Sequence, residues 1–109
     1  MQLAASAENR VFQALADPSR RAIFEALTRG EAAVKDLTAR FDISQPAVSQ
    51  HLAMLKEAGL VHGRREGRHV YYRVESRGMK PLIDWIAQHR AFWTAHVDRL
   101  ERLLDKMQG

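Results

Sequence analysis

The segment from Ser44 to Val61 constrains this chain more than any other. Ser44 can cap a helix through its hydroxyl, and Pro46 falls in the first turn, where a missing N–H does no harm. Val48, Leu52 and Leu55 repeat at i, i+4 and i+7, so they share one face. Gln45, Ser49, Gln50 and Lys56 lie largely away from that face. Gly59 then ends the helix, as a left-handed C-terminal residue commonly does. The spacing predicts a helix over 44–58, apolar on one side and lined with short hydrogen-bonding groups on the other. Such a helix suits a DNA major groove, where amide and hydroxyl groups meet base edges.

The flanking residues give this helix its setting. A first helix is expected from about Glu8 to Leu15, with Val11, Phe12 and Leu15 apolar. Asp17-Pro18-Ser19 breaks and restarts the chain. A second helix follows to about Thr28, with Ala22, Ile23, Phe24 and Leu27 inward, and Gly30 stops it. A third spans about Val34 to Phe41, and the link Asp42-Ile43 leads into the helix at Ser44. Two helices joined tightly, the second polar on its outer face, form a helix-turn-helix pattern. Leu60–Arg65 and Arg68–Val74 then read as two strands around Glu66-Gly67. In the second of them, Val70, Tyr72 and Val74 alternate with His69, Tyr71 and Arg73. A basic hairpin in this place is a wing, with Arg64, Arg65 and Arg68 at or near its tip.

Charge placement agrees with that reading. Residues 1–43 hold six basic and six acidic side chains, and residues 75–109 hold six and five. Segment 44–74 holds five basic against two acidic, so most of the net +4 sits on the helix and hairpin. Phosphates dock on such a footprint, although a basic solvated face is the bland alternative.

From Gly78-Met79-Lys80-Pro81 onward no breaker is evident until about Met107. This predicts one continuous helix over 79–107, about 40 Å long at 1.5 Å per residue. Met79, Ile83, Ile86, Trp93, Val97, Leu100, Leu104 and Met107 step by four and three, with only Arg90 interrupting. Leu82, Trp85, Phe92 and Leu103 broaden the stripe. So small a body cannot easily cover both sets, which favours a homodimer over a single wide core face. The expected dimer residues are Phe12, Ile86, Trp93, Val97, Leu100 and Leu104.

The expected fold is therefore mainly α with a small β-hairpin. It is a winged helix-turn-helix of order α-α-α-α-β-β-α, with the long C-terminal helix serving dimerisation. The 109 residues make one domain, with 1–7 expected to be flexible. No membrane-length apolar run and no signal-peptide pattern occur, which points to the cytoplasm. Zero cysteines exclude disulfides and thiolate metal sites. A catalytic role finds no support: there is no cysteine nucleophile, no Gly-x-Ser-x-Gly turn and no Gly-rich phosphate loop.

With these pieces in order, the chain resembles the ArsR/SmtB family of winged-helix transcriptional repressors over about residues 8–107. The matching stretches are Ala16–Ile23, Asp36-Leu37, Ser44–Leu52, Leu55–Val61, and Arg64–Arg68 before Tyr71-Tyr72. The resemblance implies a homodimer built from the first and last helices. It also implies two recognition helices in successive major grooves of an inverted-repeat operator, and an effector that lowers DNA affinity. The chain departs from the family's metal sensors. Ala33 and Lys35 stand where the third-helix cysteines would be. Asp84 and Ile86, and His96 and Arg99, do not match the last-helix ligand pairs. No metal or cofactor is therefore expected, with His89 and His96 left as the only conceivable loose site. The effector is not identified by the sequence.

The residues expected at double-stranded DNA are Ser44, Gln45, Ser49, Gln50, His51, Lys56, Arg64, Arg65 and Arg68. Several carry two open readings. Ser44 can cap and also touch phosphate. His51 is either a DNA contact or a packing residue against the third helix. Lys56 is a phosphate contact or simply solvated. Arg20 and Arg21 are phosphate contacts or surface groups. Trp85 and Trp93 are dimer-core aromatics or the lining of an effector pocket. A protein-docking winged helix that binds no DNA is the competing function, and the basic cluster argues against it.

Overall fold

The computed structural model describes residues 6–108. Five helices and a small, largely exposed sheet form the body, and a sixth helix projects from it. The order is α1 (Ala7–Ala16), α2 (Pro18–Leu27), β1 (Ala32–Ala33), α3 (Val34–Phe41), α4 (Gln45–Glu57), β2 (Val61–Glu66), β3 (His69–Val74), a 3-10 turn (Ser76–Met79), α5 (Lys80–Gln88) and α6 (Arg90–Gln108). The expected winged helix-turn-helix is present, with one more strand and one more helix than the sequence reading gave.

Local chemistry sets the helix ends. Ser6 Oγ accepts from the Asn9 N–H at 3.2 Å, and α1 starts at Ala7. Ser6 and Ala7 are thus the cap and first residue of α1; the rest of the segment 1–7, expected to be flexible, lies outside the described residues. Asp17 caps α2, with Pro18 in its first turn. Ser44 caps α4 by accepting from the Ala47 N–H at 3.2 Å. Between α3 and α4 the chain reverses through Asp42, whose φ of 51° is one that Asp tolerates better than most side chains.

The core lies where α1, α2, α3 and α4 meet the sheet. Ile23, Leu37, Val48, Leu52, Leu55 and Leu60 are all fully buried. Each such aliphatic side chain contributes about 1.5–3 kcal/mol of transfer free energy. The sheet is antiparallel in the order β1-β3-β2. Ala32 pairs with Tyr72 and Ala33 with Tyr71, so β1 ties the wing to the root of α3. Two residues are too few to carry a period, which is why the sequence did not reveal this strand.

The C-terminal region corrects a second expectation. The single helix over 79–107 is broken at His89, which has φ −111° and ψ 14°. The His89 ring takes the Trp85 carbonyl through Nδ1 at 2.8 Å. The His89 backbone N–H bonds instead to Ile86 O, one residue nearer, at 3.1 Å. The i→i−4 ladder thus tightens into a 3-10 step at His89 before α6 begins; His96 makes the same ring contact to Phe92 O without breaking α6. α6 packs chiefly against α5 and stays exposed along its length. The radius of gyration is accordingly 17.9 Å, against about 13 Å for a compact chain of this size.

Gly78 sets the junction between the wing and α5. A Cβ built there would collide with the Gly59 carbonyl oxygen, and no flexible side-chain end is available to yield. The approach joins the 3-10 turn to the end of α4, where the Glu75 N–H also donates to Leu60 O at 2.9 Å. Gly78→Ala should therefore lower stability by about 1–3 kcal/mol, the usual range for overpacking. Urea unfolding would register this as an earlier midpoint with an unchanged slope.

Candidate nucleic-acid interface

Burial on one side of α4 fixes what its other side can do. Val48, Leu52 and Leu55 are wholly enclosed, while Gln45, Ser49, Gln50 and Lys56 are exposed. Gln45, Ser49 and Lys56 fall at i, i+4 and i+11, so they share one face, and Gln50 lies beside it. Ser44 is exposed and already bonded as a cap. His51 is half-buried and lies close enough to Asp17 to help hold its carboxyl ionised.

The wing stands next to this face. A cleft of about 150 Å³ is lined by Lys35, Gln45, Ser49, Arg68 and His69, together with Ala33, Val34 and Val70. The start of α3, the start of α4 and the tip of the hairpin converge there. Lys35 and His69 were absent from the sequence-derived set. Lys35 had been read only as the replacement for a cysteine, and His69 only as one step of a strand.

The three wing arginines differ in their surroundings. Arg64 donates to Glu31 through Nε at 3.2 Å and Nη2 at 2.7 Å, and to Glu66 through Nη1 at 2.7 Å. Its guanidinium also lies 4.9 Å from the Tyr71 ring centroid. Those carboxylates hold the Arg64 pKa above its ordinary value, and the Arg64 hydrogen bond holds Glu31 below its own. Arg64 is thus spent on bracing the hairpin against the residue before β1. No local pattern could have paired residues 33 apart in sequence. Arg65 and Arg68 are exposed and make no ion pair among the described residues.

Arg20, read from sequence as a surface or phosphate group, is neither. It is buried, at 8% exposure. Its Nε donates to Ala14 O at 2.6 Å, its Nη2 to Gln13 O at 3.1 Å, and its Nη1 to the Met54 sulfur at 3.1 Å. Arg21 donates to Leu15 O at 2.8 Å. Together they satisfy the last carbonyls of α1, which have no intrahelical partner and sit at the negative end of the helix dipole. Arg20 also carries the link onward to α4.

The expected dimer residues are distributed along one exposed apolar tract. Phe12 packs edge-on against Trp85, with ring centroids 5.3 Å apart, and this joins α1 to α5. Ile86, Trp93, Val97, Leu100 and Leu104 are all more than 40% exposed. His96 stacks on Phe92 at 4.0 Å and bonds Phe92 O through Nδ1, while His89 is turned to Trp85 O. Among the described residues, no group of three or more His, Asp or Glu is placed to hold a metal ion. No helix among them is long and apolar enough to cross a membrane.

The acidic groups give this arrangement a pH signature. The Arg20 backbone N–H, donating at 3.0 Å, holds Asp17 below its ordinary value, as Arg64 does for Glu31. A carboxylate whose folded pKa is lowered stabilises the fold above its unfolded value, and that stability is lost as pH falls through the folded value. The melting temperature should therefore be flat above about pH 5 and fall below about pH 4, where Asp and Glu titrate. Asp17→Asn should flatten part of that fall in a series of thermal melts.

Comparison with known proteins agrees with this geometry. A family model described as a helix-turn-helix domain matches residues 15–64. The chain is 40% identical over 97 residues to the HTH-type transcriptional regulator Rv2034 of Mycobacterium tuberculosis, covering 89% of this chain and 88% of that protein. It is 36% identical over 78 residues to the transcriptional repressor SdpR of Bacillus subtilis, covering 72% and 87%. Among solved structures, a crystal structure of an ArsR family transcriptional regulator superposes with a TM-score of 0.74 at 32% identity, covering 86% of this chain and 97% of that one. Reduced HlyU from Vibrio cholerae superposes at 0.64 and 35%, covering 79% and 88%. The chain belongs to the ArsR/SmtB family of winged helix-turn-helix regulators, and it is a DNA-binding regulator of transcription rather than an enzyme.

Proposed function

We propose that this protein is a homodimeric repressor that acts in the cytoplasm on an inverted-repeat operator. The observation that carries the reading is the orientation of α4. Its apolar stripe is sealed in the core, and its hydrogen-bonding face lies open beside the wing's Arg68, which makes no ion pair among the described residues. In this reading Gln45, Ser49 and Gln50 enter the major groove, where a glutamine amide can bond adenine at two points. Arg65, Arg68, Lys35 and Lys56 meet phosphates, and His69 lines the same approach. Ser44 combines its cap with a backbone contact. Arg64 acts by holding the wing in position, and half-buried His51 reaches the DNA backbone or a base edge from the same helix.

Two copies are required because one recognition helix covers only a half-site. The tract from Phe12 through Ile86, Trp93, Val97, Leu100 and Leu104 suits a second copy of itself: it is long, apolar and carried on a helix that the protomer leaves uncovered. Leu100→Glu should convert a sedimenting dimer to a monomer and weaken operator binding. A monomeric wild-type protein would refute this part.

DNA binding is tested by fluorescence anisotropy across a salt series. The duplexes are the region upstream of the protein's own gene and a scrambled control. Gln45→Ala or Gln50→Ala should cost about 1–3 kcal/mol of specific binding and relax base preference nearby. Charge removal at Arg65 or Arg68 should weaken all duplexes alike and reduce the salt slope by about one. Unchanged selectivity in both glutamine variants would end the direct-readout assignment. If the wild type binds no duplex in a salt-dependent way, including those from a genome-wide selection, the winged helix serves a protein partner instead.

A further inference from the structure

The buried Arg20 guanidinium bonds the sulfur of an exposed methionine, Met54. Met54 is 44% exposed, although it lies on the recognition helix between buried Leu52 and Leu55. It lines a cleft of about 470 Å³ between α1 and α4, with Arg10, Gln13, Ala14, Glu57 and Ala58 as the other walls. Its sulfur is 3.1 Å from Arg20 Nη1. The other two nitrogens of that guanidinium are fixed on Ala14 O and Gln13 O. A small oxidant can therefore enter an open cleft and meet the one side chain through which α4 bonds Arg20.

We infer that Met54 is an oxidation site through which peroxides control the seating of the recognition helix; the DNA consequence rests on the function proposed above. In the reaction, a sulfur lone pair of Met54 attacks one oxygen of hydrogen peroxide. The O–O bond breaks, the sulfur keeps the oxygen as a sulfoxide, and the other oxygen leaves as water after proton transfer. Sulfur is oxidised by two electrons and the peroxide is reduced by two. The chain has no cysteine to compete for the oxidant.

The geometry makes the product consequential. A thioether is a weak acceptor, whereas a sulfoxide oxygen is a strong one. An oxygen cannot be inserted between sulfur and nitrogen only 3.1 Å apart, because an N–H···O bond alone occupies about 2.9 Å. Either α4 moves away from Arg20 to admit it, or the oxygen turns into the cleft and Arg20 loses its partner. Both outcomes loosen α4 from the α1–α2 junction. Met79 packs against the core and Met107 lies near the end of α6, so neither bonds this junction.

The test uses the full chain treated with hydrogen peroxide, and compares wild type, Met54→Leu and Met107→Leu. Leucine keeps nearly the same volume but offers Arg20 Nη1 no acceptor, so untreated Met54→Leu sets its own baseline and is read only for its response to peroxide. Peptide mass mapping should find a one-oxygen gain at Met54. Amide exchange should then quicken at the end of α1 and along α4 in wild type and Met107→Leu, but not in Met54→Leu. Operator affinity should fall about fivefold or more, at the lower end of typical coupling between sites. Methionine sulfoxide reductase should restore it. The inference is overturned if Met54 stays unoxidised, if its oxidation leaves exchange in α1 and α4 unchanged, or if Met54→Leu responds like wild type. If untreated protein binds no selected DNA, the proposed function fails, and the exchange comparison still decides the fate of the Met54 switch.

Discussion

Everything at the candidate interface depends on the sealed stripe Val48, Leu52 and Leu55. Three aliphatic side chains with no solvent exposure leave α4 a single rotational setting. A rotation about the helix axis would expose about 1.5–3 kcal/mol of apolar surface per residue. The polar face is therefore not merely available to a partner; it is held outward by the core. Ser44 at one end and Gly59 at the other fix where that face begins and stops. The short chain reversal at Asp42 sets α3 against it.

A second layer of polar bonds turns this helix pair into a platform. Arg20 and Arg21 satisfy the carbonyls at the end of α1, and Arg20 continues to α4. Glu31 and Arg64 do the equivalent for the wing, joining the residue before β1 to the hairpin. Both devices fix basic residues that composition alone would assign to DNA. They leave Lys35 and Arg68 as exposed cations at the cleft, with Arg65 and Lys56 exposed on the same hairpin and helix. A charge count points to a candidate interface, while the bonding pattern separates basic residues held by the fold from those left exposed.

How much of this was legible follows from the range of each signal. Caps, prolines and the i, i+4, i+7 stripe act within one or two turns, so α2, α3, α4 and the hairpin could be read directly. β1 has only two residues and is defined by its partners Tyr71 and Tyr72, which no local window connects to it. The break at His89 lies inside an otherwise helical pattern, with no proline or glycine to announce it. Burial of Arg20 needs α1 and α4 to be brought together first. The exposed row Trp93, Val97, Leu100 and Leu104 was legible as a stripe, and its continuity with Phe12 through Trp85 emerged only in three dimensions.

The central claim is that the outward face of α4 and the wing tip together contact DNA. The most direct measurement is an NMR titration of the labelled protein with a duplex obtained by selection from random sequence. The account predicts that amide shifts concentrate at residues 45–50 and 65–69, with α6 silent beyond any change in self-association. Shifts confined to α5 and α6, or selection that enriches no sequence at all, would contradict it.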